Sequence, residues 1–140
     1  MNEVPKAASI GARLEQAASL PEVLAAGFDV FEDIRVTARH HQDRVPALFA
    51  AFMTTADAAV DGREALTIAP SLPRAPSAGP GRALTADAGT GEAADTLAAL
   101  AAMLRDRLTD AAAQADTPGD RASCQDAAEA AERICQLMTR

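Results

Sequence analysis

All four phenylalanines of this chain fall between residues 28 and 52, and the sequence contains no tryptophan or tyrosine. Aromatic side chains bury large apolar areas, so their distribution indicates where the largest part of a core forms. The other apolar residues are mostly alanine, with leucine, methionine and isoleucine at intervals. We therefore expect residues 20–60 to form the centre of the fold and alanine-rich helices to pack closely around it.

Length and charge restrict the class of protein. At 140 residues the chain has the size of one domain, and its formal net charge of −7 gives it an acidic surface that repels phosphate backbones. No apolar run approaches the roughly 20 residues of a membrane span, and the N-terminus lacks an apolar run of signal-peptide length. We therefore expect a cytoplasmic protein that binds neither nucleic acid nor membranes.

A helix-start pattern opens the segment that holds the phenylalanines. Ser19 can cap the helix, Pro21 fits its first turn, and Glu22 stands three residues after the cap. From there apolar residues recur in steps of three and four up to Val60, which predicts sustained helix. A weaker pattern of the same kind predicts a short first helix over residues 4–18.

Two positions predict interruptions of this long helical segment. Inside a helix, Pro46 would delete a backbone hydrogen bond and clash with the preceding turn, at a cost of about 3 kcal/mol. An unbroken helix over residues 20–60 would also be about 60 Å long, more than a domain of this size covers. We expect a kink or a break near Pro46, and a helix end at Asp61 and Gly62.

The C-terminal half separates into a linker and a helical hairpin. Residues 70–91 hold four of the eight prolines and four of the eight glycines without hydrophobic periodicity, which predicts a flexible linker. After a helical pattern over residues 92–115, Thr117 and Pro118 predict the cap and first turn of a final helix. The sequence thus predicts an all-α fold, a bundle of four to five helices. Its parts are an N-terminal helical part over residues 1–69, the linker over 70–91, and a hairpin over 92–140 docked into the same bundle.

The only cysteines, Cys124 and Cys135, lie eleven residues apart in the final helix. On one straight helix this separation is roughly 16 Å, too far for a disulfide. Free cysteine is among the most buried residue types, so we expect two thiols on a buried apolar stripe. An intermolecular disulfide or a metal site is the alternative.

The only histidines, His40 and His41, are the strongest candidates for chemistry. Adjacent residues point about 100° apart on a helix, which places His41 on the apolar stripe and His40 on a polar flank. For His41 we expect a position at the edge of the core, and for His40 a solvated side chain paired with Asp43.

Residues 41–48 resemble the phospho-acceptor box of sensor histidine kinases. In that box a helical histidine is followed by an acid, an apolar residue, arginine, a small polar residue, proline and leucine, and here His41, Arg44 and Pro46 fall in register. The resemblance implies a histidine phosphotransfer module without its own kinase domain, with His41 as phospho-acceptor and Arg44 as the second site residue. Gln42 stands in place of the acid, Asp43 in place of the apolar residue and Ala47 in place of leucine.

Other catalytic and metal-binding patterns do not occur. A metal site built on His40 would need partners such as Asp33, Asp43 or Glu32, but the chain has no Glu-x-x-His pair and no Cys-x-x-Cys spacing. The serines, threonines and cysteines lie in no nucleophile motif. We expect no enzyme activity, no cofactor and no metal.

The preferred hypothesis is a non-enzymatic helical protein-protein interaction or regulatory protein. Its partner is expected to be another protein or a second copy of the chain, because two apolar faces on so small a protein favour association. The alternative is the histidine phosphotransfer module with His41. The residues expected at the interaction surface are Leu97, Leu104 and Leu108 in the hairpin, and Phe28, Phe31, Phe49 and Phe52 in the N-terminal part.

Overall fold

The structure is a computed structural model that describes residues 6–73 and 89–139, with side chains described from residue 11 onward. Within these residues it contains five α-helices, one short 3-10 helix and no strand, which confirms the all-α fold class. The α-helices are α1 (Lys6–Gln16), α2 (Leu20–His41), α3 (Phe49–Thr67), α4 (Thr90–Gln114) and α5 (Pro118–Met138). The 3-10 helix, Pro46–Leu48, leads directly into α3.

Side-chain caps fix the starts of α2 and α5 where the sequence predicts them. Ser19 Oγ accepts a hydrogen bond from the Glu22 amide at 3.3 Å, and Glu22 Oε1 accepts one from the Ala18 amide at 2.7 Å. At α5, Thr117 Oγ1 accepts from the Asp120 amide at 3.2 Å. The first amides of a helix have no partner within it, so these bonds satisfy groups that would otherwise lack one.

Helices α2 to α5 form a four-helix bundle with the order α2, α3, α5, α4 around its axis. Short connections make α2 antiparallel to α3 and α4 antiparallel to α5, while α3 and α4 are diagonal. The end of α3 lies beside the start of α5, where Ser71 bonds to Asp120, so α4 starts at the opposite end of the bundle. One long crossover between two hairpins is an established bundle arrangement. Most of the predicted flexible linker, residues 74–88, lies outside the described residues.

Helix α1 covers one side of the bundle, packing on both α2 and α4. A Cβ built on Gly11 would lie 3.1 Å from Met103 Cε, so the backbone of α1 approaches the Met103 side chain closely. The guanidinium of Arg107 donates to the Ala17 carbonyl at 2.6 Å, just after α1 ends. The described residues include no equivalent helix packed over α3 and α5.

Within the described residues, no helix combines the length and apolar composition that crossing a membrane requires.

Side chains from both halves of the chain share one core. The large apolar side chains without solvent exposure are Leu14, Leu24, Phe31, Ile34, Phe52, Leu66, Leu97, Leu104, Leu108 and Ile134.

The expected helix end at Asp61 and Gly62 is wrong, because α3 continues to Thr67. Gly62 faces α2, and a Cβ there would lie 2.8 Å from Phe31 Cε2 and closer still to two other atoms of the ring. The glycine therefore allows α3 to pack against an aromatic side chain. The same residue that can end a helix here serves close helix packing.

Ion pairs join neighbouring helices at the bundle surface. Glu32 on α2 contacts Arg35 at 2.7 Å and Arg63 on α3 at 3.0 Å. Burial raises the pKa of Glu32, but the two arginines outweigh it and hold that pKa below its ordinary value. Arg105 on α4 contacts Glu132 on α5 at 2.8 Å.

The chain breaks between α2 and α3, in the region of Pro46. Helix α2 ends at His41, and a turn follows in which the Arg44 amide donates to the His41 carbonyl at 3.1 Å. Val45 is extended, with φ −129° and ψ 111°, as steric contact with a following proline favours. Pro46 then occupies the first position of the 3-10 helix, where its missing N–H is tolerated.

Candidate interaction surface

The leucines expected to bind a partner lie inside this chain's own core. Leu97, Leu104 and Leu108 on α4 each have 0% of their surface exposed. Leu104 and Leu108 lie within 4 Å of a Cβ built on Gly27 of α2, and α4 packs against α1, α2 and α5. We call Leu97, Leu104 and Leu108 the α4 stripe. The surface that would receive a partner is thus occupied by helices of the same molecule.

The four phenylalanines divide between the interior and the surface. Phe31 and Phe52 are fully buried, and Phe28 is half-buried against the core. Phe49, at the first position of α3, keeps 38% of its surface exposed. The structure therefore places Phe31 and Phe52 in the shared core and leaves Phe49 partly exposed.

Phe49 belongs to a contiguous apolar surface at the start of α3. Met53 follows it by one helical turn and is 39% exposed, while Pro46, Ala47 and Ala50 are exposed beside them. We call these five residues the α3 patch. A third large apolar residue, Ile68, is 76% exposed beyond the far end of α3, and single exposed residues of that kind are ordinary in proteins. The α3 patch differs because its members adjoin one another.

The helical period explains why Met53 points outwards. Phe52, Ala56 and Ala59 repeat in steps of four and three and are buried against the bundle. Met53 lies about 100° around the helix from Phe52, beside that row, whereas Phe49 continues the row by three residues and is partly exposed at the first position of α3. Because α3 begins immediately after the 3-10 helix, Pro46 and Ala47 extend the patch beyond the helix end.

A sequence signal for this surface exists in the distribution of charge. Residues 45–56 contain no Asp, Glu, Lys, Arg or His, although 24% of the chain is charged. Helix faces that contact water normally carry charged side chains. Twelve consecutive uncharged residues at the start of a surface helix leave part of its outer face without charge. This stretch of sequence therefore indicates Met53 as a surface residue, which hydrophobic periodicity did not identify.

Charged side chains of opposite sign flank the patch. Arg44, exposed in the turn before it, donates from Nη2 to His40 Nε2 at 2.9 Å. Arg39 in the last turn of α2 and Asp43 in the turn beside Arg44 are also exposed, so basic side chains outnumber acidic ones at this end. On the other side Asp57 is exposed on α3. An apolar centre between a basic and an acidic end can orient a partner as well as hold it.

The structure separates the two residues of the phosphotransfer hypothesis. His41 has no exposed surface and stacks on Phe52 with ring centroids 6.0 Å apart and planes at 28°. Arg44 is exposed and hydrogen-bonds to His40. The partner that the sequence predicts for His40 is Asp43, and the structure gives it Arg44 instead. A phospho-acceptor imidazole must reach a donor on another protein, and the buried ring of His41 has no such access in this fold.

Asp120 is a buried acidic residue in the first turn of α5. It is 2% exposed, and its carboxylate accepts from the Ser71 amide at 3.0 Å and from Ser71 Oγ at 2.6 Å. Burial raises its pKa, but the bonds from Ser71 and from Thr117 outweigh this and hold it below the ordinary value. Its role is to tie the chain after α3 to the start of α5.

Both cysteines are free and buried on α5. Burial, with the nearby charge of Asp120, raises the pKa of Cys124 to about 11. Burial also raises the pKa of Cys135, whose Sγ donates to the Ala98 carbonyl at 3.7 Å. Since the thiolate is the reactive form, both thiols are poor nucleophiles at neutral pH.

The comparisons with known proteins add no relative. No protein-family model, no curated protein and no solved structure matches this chain. Among the described residues, no three His, Cys, Asp or Glu side chains are grouped so as to hold a metal ion.

Proposed function

We propose that this protein is a non-enzymatic helical interaction protein that binds another protein through the α3 patch. The observation that carries the proposal is the contiguous exposed apolar surface around Phe49 and Met53. Of the apolar side chains that the sequence suggested for this task, all but Phe49 are buried or half-buried in the core. The α3 patch is a contiguous apolar surface that remains once the bundle has formed.

Burial of the patch would supply free energy of association. Fully burying a Phe or Met side chain contributes about 1.5–3 kcal/mol relative to leaving it exposed. Phe49 and Met53 each keep more than a third of their surface exposed, so part of this contribution is still available. Aromatic and Met side chains are enriched at the centres of interfaces. Arg44 and Asp57 would then form the polar rim.

The environments of the buried ionisable groups support a non-enzymatic role. Asp120 is engaged by Ser71, His41 is enclosed beside Phe52, and the Cys124 thiol is buried with a raised pKa. Each of these groups stabilises or fills the bundle. A catalytic group needs a path to its substrate as well as a perturbed pKa.

A cytoplasmic location is part of the same proposal. The free, buried thiols of Cys124 and Cys135 support it, because reducing compartments keep cysteines in this state.

The test is capture of partners by the tagged full-length protein, compared with two variants. Met53→Glu places a charge at the centre of the patch, whereas Ala99→Glu places the same charge on an exposed position of α4, the helix diagonal to α3. We expect Met53→Glu to lose the bound protein and Ala99→Glu to retain it. Circular dichroism checks that both variants keep the helical fold.

Retention of the partner by Met53→Glu would refute the assignment of the α3 patch. Equal loss in both variants would show that added negative charge, rather than this surface, controls binding.

A further inference from the structure

We propose that Met53 is an oxidation switch for the α3 patch: a peroxide converts its thioether to a sulfoxide, and the oxidised patch no longer binds its partner. This inference rests on the proposed function and names a chemical regulation of the same surface. Two features of the molecule carry it, the access that the fold gives to each sulfur-containing side chain and the chemistry of the residues around Met53.

The fold gives the described methionines very different access to solvent. Met53 keeps 39% of its surface exposed, whereas Met138 keeps 5%. Met103 is half-buried, and its Sδ and Cε lie 3.4 and 3.1 Å from a Cβ built on Gly11, which places α1 over the thioether. Among the described residues, Met53 is therefore the methionine that a peroxide in solution reaches most readily.

The two cysteines do not compete for the oxidant. Cys124 has no exposed surface, and Cys135 has 8%. Burial raises the pKa of both thiols, that of Cys124 to about 11, so little thiolate forms at neutral pH. Because oxidation of cysteine depends on thiolate character and exposure, the Met53 thioether is the sulfur that the fold leaves open to a peroxide.

Oxidation of a thioether by hydrogen peroxide is an oxygen transfer. The sulfur attacks one peroxide oxygen with an electron pair, the O–O bond breaks, an S–O bond forms, and the other oxygen leaves as water after a proton transfer. Sulfur loses two electrons and the peroxide gains two. In the reverse step a reductase takes two electrons from a pair of thiols, which become a disulfide, and the sulfoxide oxygen leaves as water.

The sulfoxide makes the centre of the α3 patch polar. Its oxygen is a hydrogen-bond acceptor, and burying an acceptor without a donor is unfavourable. The five side chains of the patch belong to Pro, Ala, Phe and Met, none of which carries a hydrogen-bond donor. A partner surface that matches the reduced patch is apolar as well, so the oxygen would lose water without gaining a bond.

Polar residues near Met53 do not compensate for this loss. Asp57, exposed one helical turn later, carries a carboxylate that accepts hydrogen bonds and repels the negative end of the S–O dipole. Thr54 is exposed and carries a hydroxyl, but it lies about 100° around the helix from Met53. Arg44 stands before the other end of the patch, where its Nη2 donates to His40.

Peptide mass spectrometry tests the selectivity of the oxidation. The full-length chain is treated with dilute hydrogen peroxide, and the sulfoxide at Met53, Met103 and Met138 is followed over time. We expect Met53 to oxidise several times faster than the other two in the folded protein. In urea all three should oxidise at similar rates, because burial no longer protects any of them. Equal rates in the folded protein would overturn the inference.

Binding of the protein captured by the tagged full-length chain tests the effect of oxidation. The chain is oxidised and freed of peroxide before the two proteins are mixed, so the captured protein is never exposed to the oxidant. We expect a dissociation constant at least about tenfold higher after oxidation, because a polar group is then buried without a bond. Treatment with methionine sulfoxide reductases for both sulfoxide epimers should restore the original value.

Two variants identify the responsible sulfur. Met103→Leu should respond to peroxide as the unmodified chain does, because Met53 is still present. Met53→Leu has no sulfur at that position, so its oxidised and untreated samples should bind alike. Each variant is its own reference, because the measured quantity is the ratio of the dissociation constants after and before treatment.

A dissociation constant that full oxidation of Met53 leaves unchanged, or a loss of binding that Met53→Leu shares, would overturn the switch. If Met53→Glu loses the captured protein but the sulfoxide retains it, the switch fails and the proposed function survives. If the unmodified chain captures no protein through the α3 patch, the proposed function fails and the switch fails with it.

Discussion

The α4 stripe and the α3 patch are both apolar surfaces of helices, yet one is fully buried and the other faces solvent. Leu97, Leu104 and Leu108 have no exposed area, while Phe49 and Met53 each expose more than a third of theirs. Composition does not separate them, because both comprise large apolar side chains spaced by three or four residues. The difference lies in what packs over each helix.

Two methionines show this most directly. Met103 is on the side of α4 that α1 covers, and it is half-buried with its Cε close to the Gly11 backbone. Met53 is exposed, and the described residues place no helix over that side of α3. The first helix covers one side of the bundle, and Met53 lies on a side that α1 does not cover. Five predictions test the packing of these surfaces, beginning with the largest expected effect.

Truncation within the α4 stripe should have the largest effect. Leu104→Ala leaves a cavity between α4 and its neighbours and should lower the free energy of unfolding by about 2–5 kcal/mol. Met53→Ala removes a comparable side chain from the surface and should change it by less than about 0.5 kcal/mol. Urea denaturation of both variants measures the difference. Equal losses of stability would contradict the burial of Leu104 and the exposure of Met53.

Docking of the α4–α5 hairpin on α3 can be weakened without touching either apolar surface. Asp120→Ala removes the acceptor for the Ser71 amide and hydroxyl and should cost about 1–3 kcal/mol of unfolding free energy. Urea denaturation measures it, with Asp126→Ala, an exposed acid on the same helix, as the control.

The effect of Asp120 should also depend on pH. Because its pKa in the folded state is held below the ordinary value of 3.8, its contribution is complete above that value and declines as the pH falls through the lowered pKa. The stability gap between the unmodified chain and Asp120→Asn should therefore narrow in acid. A gap that widens in acid would contradict the assigned direction.

A helix glycine packed against the core should tolerate less change than an exposed one. Gly62→Ala forces the Phe31 ring to move, at about 1–3 kcal/mol, partly offset by the helix preference of alanine, about 1 kcal/mol. Gly91→Ala, with no atom within 4 Å of the new Cβ, should be neutral or stabilising. Thermal unfolding of both variants gives the comparison, and a stabilised Gly62→Ala would show that Phe31 has room to shift.

A charge placed at each of the two methionines should separate the covered side of the bundle from the uncovered one. Met103→Glu places a charge under α1 and should destabilise the fold by about 1–2 kcal/mol, with α1 the first helix to detach. Met53→Glu should leave stability within about 0.5 kcal/mol while it abolishes association. Amide hydrogen exchange distinguishes the two variants, because the exchange rate of α1 should rise only in Met103→Glu.

Local chemistry made the helices and their starts predictable. Ser19 and Thr117 cap the helices that they were expected to cap, because a cap bond joins residues three apart and needs no distant contact. Gly62 was misassigned for the opposite reason. Its packing against Phe31 joins residues far apart in sequence, and a glycine that ends a helix looks the same in sequence as one that faces an aromatic ring.

The candidate site was only partly predictable. Phe49 was among the residues expected at a surface, but Phe31 and Phe52 share its chemistry and lie inside. Met53 was missed because the search followed apolar periodicity, which marks the inner row of α3. The absence of charge over residues 45–56 would have pointed to it.

By itself, then, the sequence determined that this protein is all-helical, where α2 and α5 begin, and that one core draws on the segment rich in phenylalanine. These features depend on contacts within a helical turn or on total composition. Only the tertiary structure decided that the α4 stripe is interior, that His41 is enclosed, and that Phe49 and Met53 face solvent. A hydrophobic pattern indicates that a helix face must be covered. How α1 and the two hairpins pack in space decides which helix covers that face and which apolar face stays exposed.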